Sequence, residues 1–212
     1  IVTAAGHGDA IPFDCKLNAG QMGPRGNPVA SKLVIKADVI IAIGTRLGFN
    51  STFYSYDNIN KKAKIIQIEL EKKMLGRYFP VSVGIHADAA TATNQIYEEI
   101  KKQKITLDTK NWTQEYYRER KRFISKRDKV STVKKFPIQP QDLFKQLRKA
   151  LPKNSVITLD AGTLCLQATD ALEYYDPPSL FTPLDFGLVG FSFACGLGVK
   201  VAKPKKTVVS LM

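Results

Sequence analysis

The sequence is poor in the residues that most often bind metal ions or carry out thiol chemistry. Its 212 residues include three cysteines and two histidines, namely Cys15, Cys165, Cys195, His7 and His86. The cysteines lie too far apart along the chain for a zinc knuckle or a Cys-x-x-Cys redox pair, and neither histidine has a convincing partner for a thiol nucleophile. We therefore expect reduced, structural cysteines, as is usual in the cytoplasm.

Long apolar runs and leader sequences are also missing. No stretch approaches the roughly 20 apolar residues that a membrane helix needs. Residues 1–5 are apolar but have neither the basic region nor the cleavage pattern of a signal peptide. The first residue is isoleucine rather than methionine. We therefore expect a cytoplasmic protein with no membrane partner, and a sequence that is a piece of a longer chain.

What the sequence does contain is a strong basic bias. The formal net charge is +13, and basic residues are concentrated between positions 101 and 135. A nucleic-acid surface would explain this bias, but no nucleic-acid-binding motif accompanies it. Acidic residues are interspersed in the same stretch, namely Glu115, Glu119 and Asp128, which is typical of a solvated helix face. We therefore predict no nucleic-acid partner.

Strands and helices alternate on both sides of this basic stretch. Unbroken runs of β-branched residues are typical of strands that are covered on both faces of a parallel sheet. The predicted strands are 39–43, 65–70, 81–85, 156–159 and 207–211, and the predicted helices are 29–37, 89–102 (capped by Asp88), an exposed 112–126, 140–151 and one from about 191. This order predicts an α/β fold with two open, mostly parallel sheet units joined by a basic helical linker.

The segment 186–204 is the most informative part of the sequence. Gly187 and Gly190 bracket a predicted tight loop, while Gly196 and Gly198 would let the following helix approach a neighbouring backbone closely. Such a loop can present backbone amides and carbonyls to a ligand ring or to a phosphate. Glycines at this spacing are equally explained by a helix that packs tightly on a sheet, so the spacing alone leaves both interpretations open.

The order of the motifs resembles thiamine-diphosphate-dependent enzymes of the acetolactate synthase and pyruvate oxidase group. Gly-Leu-Val-Gly at 187–190 is similar to the Gly-x-Met-Gly loop of that family, and Val-Ala-Lys-Pro at 201–204 to the end of the helix that follows it. Leu-Asp-Ala-Gly at 159–162 is similar to the first strand and glycine turn of the family's cofactor-binding domain. Ala-Asp-Val-Ile-Ile-Ala-Ile-Gly-Thr-Arg at 37–46 looks like a strand of its central domain.

The resemblance implies a domain organisation. Residues 1–104 would be the central domain, beginning partway through it, and 105–136 would be the basic helical linker. Residues 137–212 would be the thiamine-diphosphate-binding domain, ending just before the Gly-Asp-Gly of the metal motif. The magnesium ligands would then lie beyond Met212, and the activating Glu in an N-terminal domain that precedes this sequence. No catalytic or metal-binding residue is therefore assigned within it.

The resemblance also implies cofactor-binding residues. Gly187 would offer its carbonyl to the amino group of the cofactor, Val189 would support the cofactor's bent shape where the family often has Met, and Gly190 would close the loop. Gly162 and Thr163 would lie beside the diphosphate. The Gln-His-Gln that follows this glycine in the family is absent here, which changes the expected contacts to diphosphate and substrate.

A second site is implied in the first unit. The central domain of the family binds FAD in some members and ADP or nothing in others. Arg25, Gly44 and Arg46 are the candidate residues, since an arginine fork suits phosphate groups. The alternative for Arg46 is an ordinary surface ion pair at a sheet edge. FAD is therefore a candidate cofactor beside thiamine diphosphate and Mg²⁺.

The function implied by the resemblance is decarboxylation and carboligation of small 2-oxo acids, as in acetolactate synthase. The full protein would be a transferase or lyase that works as a homodimer or tetramer, and this piece alone would be inactive. Other members of the family remain open: glyoxylate carboligase, sulfoacetaldehyde acetyltransferase, pyruvate oxidase or acyl-CoA decarboxylase. So does a non-enzymatic nucleotide-binding module.

Overall fold

The computed structural model describes residues 1–128 and 137–212. Its elements, in chain order, are α1 (Pro28–Lys36), β1 (Val39–Ile43), α2 (Phe49–Thr52), β2 (Lys64–Glu69), a 3₁₀ turn (Lys72–Met74), β3 (Val83–His86), α3 (Ala89–Lys102), α4 (Lys110–Asp128), α5 (Pro140–Ala150), β4 (Val156–Leu159), α6 (Thr163–Ala171), β5 (Leu180–Phe181), α7 (Phe191–Ala202) and β6 (Val208–Leu211). The α/β class is confirmed. Within the described residues, no helix is both long and apolar enough to cross a membrane.

The first unit is a three-stranded parallel sheet in the order β1-β2-β3. Its strands form where the β-branched runs predicted them, and α1 covers one face with buried Val29, Ala30 and Val34. Asn27 caps α1, because its side-chain oxygen accepts a hydrogen bond from the amide of Ala30 at 2.8 Å. Asp88 caps α3 as predicted, through the amide of Thr91 at 2.9 Å.

The second unit is a three-stranded parallel sheet in the order β5-β4-β6. All four residues of β4 are buried, so this central strand is the core of the unit. The sequence analysis did not predict α2, α6 or β5. The shortness of α2 and β5 leaves no measurable periodicity, and the N-cap of α6 is a glycine, which has no side chain to signal the start of a helix.

The basic helix α4 is not the exposed linker helix that we expected. One of its faces packs on the first unit, where Tyr116 is 4% exposed and its hydroxyl donates to the carbonyl of Asn18 at 2.6 Å. Burial raises the pKa of this phenol to about 12. At the other end of α4, Arg127 pairs with Glu173 of the second unit at 3.0 Å. The helix therefore joins the two units, while linker residues 129–136 lie outside the described residues.

Two carboxylates also join the units. Asp9 accepts hydrogen bonds from the amides of Ser179 and Leu180 at 2.8 and 2.9 Å, at the start of β5. Asp170, at the end of α6, accepts from the side-chain amide of Asn27 at 3.1 Å. Since Asn27 also caps α1, the Asp170 carboxylate connects a helix of the second unit directly to a helix of the first.

The pKa of Asp170 leads to a prediction about stability. Burial raises it above the ordinary value of 3.8, against the opposing effects of the Asn27 side chain and of the charge on Arg127. The folded state therefore binds the proton more tightly than the unfolded state, and the stability contributed by this group is lost as the pH rises above 3.8 through the raised pKa. Asp170→Asn should make the protein more stable at pH 7 and equally stable near pH 3.5, as measured by urea unfolding. A variant less stable than the parent at pH 7 would contradict this.

Candidate functional site

The carboxyl end of β4 opens into a helix start that no side chain caps. Gly162 follows β4 with a φ of +121°, which a residue with a side chain rarely adopts, and α6 begins at Thr163. Both residues are exposed, and a side chain built on Gly162 would meet no atom within 4 Å. The amides of an uncapped first helical turn, together with the helix dipole, attract anions. An exposed, uncapped helix start is the arrangement that the expected diphosphate role of Gly162 and Thr163 needs, and that role stays a prediction.

The glycine loop before α7 lies on the same side of the unit. Gly187 and Gly190 have φ values of +61° and +89°, so both use a conformation that favours glycine. The amide of Gly187 donates to the carbonyl of Pro183 at 2.8 Å, which closes the turn. Val189 between them is 86% exposed and Leu188 is 53% exposed. The loop thus leaves two apolar side chains exposed, and the role of Val189 in supporting the cofactor stays a prediction.

Asp160 connects these two segments. Its carboxylate accepts hydrogen bonds from the amide of Gly190 at 2.8 Å and from that of Ser192 at 3.3 Å. The hydrogen bond from Gly190 is the main reason why the pKa of Asp160 is lowered, so the group stays charged at neutral pH. The Asp160 carboxylate therefore occupies the first amides of α7, whereas the first amides of α6 have no side-chain partner. The sequence analysis noted Asp160 in a motif but did not assign it this role.

A hydroxyl network fixes α7 behind the loop. The Thr158 hydroxyl donates to the carbonyl of Ser192 at 2.8 Å and lies 2.8 Å from the hydroxyl of Ser210. Gly196 lies against these two side chains, and a methyl group there would overlap the Ser210 oxygen and come within 3.2 Å of that of Thr158. The predicted close approach of the helix at Gly196 is therefore present, whereas Gly198 has open space around it.

The candidate nucleotide residues of the first unit have different partners. Gly44 ends β1 with a φ of +62°. Arg46 pairs with Glu71 at 3.2 Å and lies 4.0 Å from Glu69, the surface ion pair that was the alternative interpretation. Arg25 instead places its guanidinium 5.8 Å from the centre of the Phe53 ring. The contacts therefore do not bring Arg25 and Arg46 to a common point.

The two units meet beside the glycine loop. The side-chain amide of Asn50 in α2 donates to the carbonyl of Leu184 at 3.2 Å and to the carboxylate of Asp185 at 3.3 Å. The side-chain partner of Asp185 is therefore Asn50, a residue of the other unit. No signal in the sequence marks a pair that is 135 residues apart.

The described residues include two thiols with raised pKa values and no cluster of metal-ligand side chains. Burial raises the pKa of both the Cys165 and Cys195 thiols, which makes them less reactive. Residues 1–128 and 137–212 contain no group of three or more His, Cys, Asp or Glu side chains that could hold a metal ion.

Fold and site together define an α/β protein with an exposed, uncapped helix start at the end of a parallel strand and a glycine loop beside it. The family described as "Thiamine pyrophosphate enzyme, central domain" matches residues 1–96. That described as "Thiamine pyrophosphate enzyme, C-terminal TPP binding domain" matches residues 160–212. The chain therefore belongs to the family of thiamine pyrophosphate enzymes, in which thiamine pyrophosphate is another name for thiamine diphosphate.

Curated relatives cover nearly the whole chain. It is 30% identical to a sulfoacetaldehyde acetyltransferase of Castellaniella defragrans over 99% of its length. It is 29% identical over 95% of its length to a probable acetolactate synthase large subunit of Methanocaldococcus jannaschii. It is 25% identical over its whole length to a glyoxylate carboligase of Escherichia coli O157:H7. The chain spans only 38%, 34% and 35% of these three proteins respectively.

Proposed function

We propose that this chain supplies one side of a thiamine diphosphate site in an enzyme that decarboxylates small 2-oxo acids and joins the product to an acceptor. One observation carries the proposal. Asp160 holds the Gly187–Gly190 loop next to an open helix start, inside the segment that the thiamine-pyrophosphate-binding family matches. When bound, thiamine diphosphate supplies carbanion stabilisation, and the protein supplies binding and orientation.

The residues present fit the diphosphate end of the cofactor. The first turn of α6, at Gly162 and Thr163, is exposed, uncapped and free of a carboxylate, because Asp160 is turned toward Gly190. Backbone amides at such a helix start can neutralise part of a diphosphate's charge. Mg²⁺ belongs to the same proposal as the counter-ion of the diphosphate, and no ligand for it is assigned within the described residues.

The residues present also fit the ring end of the cofactor. Gly187 is an exposed residue of the loop, and we assign its carbonyl to an amino group of the cofactor and the exposed apolar side chain of Val189 to a ring face. Covering an apolar side chain that is 86% exposed with a ligand stabilises the complex.

For FAD or ADP at Gly44 and Arg46 the support is weaker, because Glu69 and Glu71 already neutralise the charge of that arginine.

The outer face of α7 supports the predicted homodimer or tetramer. Phe193, Leu197 and Val201 recur every four residues along the helix and are 56%, 56% and 83% exposed. A contiguous apolar stripe of this kind on a helix commonly marks a protein interface. We therefore include self-association through α7 in the proposed function.

We also propose a cytoplasmic location for the protein, since its three cysteines are free thiols.

Substitution of a loop glycine tests the cofactor site. In the full-length gene product, Gly190→Ala should weaken thiamine diphosphate binding about tenfold in isothermal titration calorimetry with Mg²⁺, because a left-handed alanine costs about 1–2 kcal/mol and shifts the loop. Gly48→Ala is the matched control, since Gly48 has an ordinary φ and open space around it. Equal affinity for Gly190→Ala and the parent, or no cofactor binding by the folded parent, would overturn the proposal. Release of carbon dioxide from pyruvate and other 2-oxo acids then tests the reaction.

A further inference from the structure

A chain of partly exposed aromatic rings lies on α2 and the loops beside it. We call it the aromatic wall, and its members in order of contact are Phe53, Phe49, Tyr54 and Tyr78. The ring centres of successive members are 4.8, 5.7 and 4.5 Å apart. Phe49 and Tyr54 are each about half exposed. Such a concentration of exposed rings is unusual on a folded surface and is typical of a binding site.

The backbone holds the wall in an unfavourable but fixed conformation. Phe53 and Tyr54 have φ values of +50° and +56°, two successive bulky residues in the left-handed region. Hydrogen bonds hold them there: the Thr52 hydroxyl accepts from the amide of Tyr54 at 3.1 Å, and the Thr52 carbonyl from the side chain of Asn58 at 3.0 Å. Strain of this kind is found at ligand sites more often than elsewhere.

Arg25, at one end of the wall, has no carboxylate partner among residues 1–128 and 137–212. The guanidinium of Arg25 lies 5.8 Å from the centre of the Phe53 ring, its side chain is exposed, and no carboxylate among the described residues lies within ion-pair distance of it. At the other end, Arg77 stacks on Tyr78 and interacts electrostatically with Glu71. A guanidinium held against a ring keeps its hydrogen-bond donors free for an oxyanion.

The wall adjoins the proposed cofactor loop. Asn50, next to Phe49 in α2, donates to the carbonyl of Leu184 and to the carboxylate of Asp185, the residues just before that loop. Asp185 is therefore a negative charge on the loop side of Asn50, while Arg25 is a positive charge at the wall. An anionic ligand between them would place its charge at Arg25 and its apolar part against the rings.

We propose that Arg25 and the aromatic wall form the substrate side of the site and select substrates that carry a carboxylate or sulfonate on a short apolar body. This inference rests on the proposed function for the position of the cofactor, and it deepens it by naming the substrate class. Arg25 acts here as a specificity-determining residue. It binds the anionic group and takes no part in making or breaking bonds.

The binding test uses an unreactive probe, so that it does not depend on turnover. Calorimetry with 1-propanesulfonate on the full-length protein should show binding that Arg25→Met weakens about tenfold, since a charge-assisted hydrogen bond is lost. Arg25→Lys should bind with intermediate affinity. Arg77→Met, the matched loss of an arginine that stacks on the far end of the wall, should bind as the parent does.

The kinetic test compares two aldehydes that differ by the anionic group. With saturating pyruvate as the donor, which loses carbon dioxide, each aldehyde is the acceptor of the two-carbon unit that remains. Arg25→Met should then raise the KM for sulfoacetaldehyde about tenfold and leave its kcat and the KM for acetaldehyde within about twofold. No binding of the probe by the parent, equal effects of Arg25→Met and Arg77→Met, or an equal rise in KM for both aldehydes would overturn the inference. If the parent protein does not bind thiamine diphosphate, the proposed function is wrong. The calorimetry with 1-propanesulfonate would still decide whether Arg25 binds the anionic group.

Discussion

Asp160→Ala is expected to weaken the binding of thiamine diphosphate between tenfold and about a hundredfold, although Asp160 itself need not touch the cofactor. The carboxylate is the acceptor for the amides of Gly190 and Ser192, which set the end of the glycine loop and the start of α7. Without it, both amides lose their partner and the loop is no longer held beside Gly162. Calorimetric titration with thiamine diphosphate and Mg²⁺ measures the loss.

Two further variants give this result its meaning. Asp160→Asn keeps the shape and one acceptor oxygen, so it should bind with an affinity between those of the parent and Asp160→Ala. Asp176→Ala removes a carboxylate that pairs with Lys206 on the surface, and it should bind as the parent does. If Asp160→Ala binds the cofactor with the parent's affinity, the loop keeps its position by other contacts and the assigned role is wrong.

The pH dependence of this site follows from the same hydrogen bonds. The amide of Gly190, followed by that of Ser192, lowers the folded-state pKa of Asp160 below the ordinary value of 3.8. The stability that this group contributes is therefore present above pH 3.8 and is lost only as the pH falls through the lowered pKa. Asp160 should therefore stay deprotonated across the neutral range, and its titration should not change cofactor binding there.

The sequence alone predicts the parts of this fold that depend on neighbouring residues. Strand β1 and helix α3 have the predicted bounds, because an unbroken β-branched run and an Asp cap are local signals. The tight loop between Gly187 and Gly190 was also predicted, since glycine spacing is visible along the chain. These signals were enough to place both units and the loop.

Pairings across the chain could not be predicted from the sequence. The link between Asp160 and Gly190 spans 30 residues and exists only because β4 is the central strand beneath α7. Arg46 could equally face a phosphate or a carboxylate until β2 places Glu69 beside it. The sequence analysis missed the burial of Tyr116 because basic residues outnumber apolar ones in α4. The few apolar residues that form its buried face did not stand out in the sequence.

Gly196→Ala is expected to destabilise the protein by about 1–3 kcal/mol and to weaken cofactor binding as well. The added methyl group would overlap the Ser210 hydroxyl and crowd that of Thr158, so α7 would have to move away from β4 and β6. Because Ser192 is held by the same hydroxyls, that movement also displaces the start of α7 and the loop before it.

A second glycine of the same helix separates crowding from helix propensity. Gly198→Ala has open space, so it should stabilise the protein by about 0.5–1 kcal/mol. Adding Ser210→Ala to Gly196→Ala removes the overlapping oxygen and should restore part of the lost stability and of the cofactor affinity, as measured by urea unfolding and calorimetry. A Gly196→Ala variant as stable as Gly198→Ala would mean that α7 does not lie this close to the sheet. The loop would then be positioned by Asp160 and by its own turn, without help from close packing of α7 on the sheet.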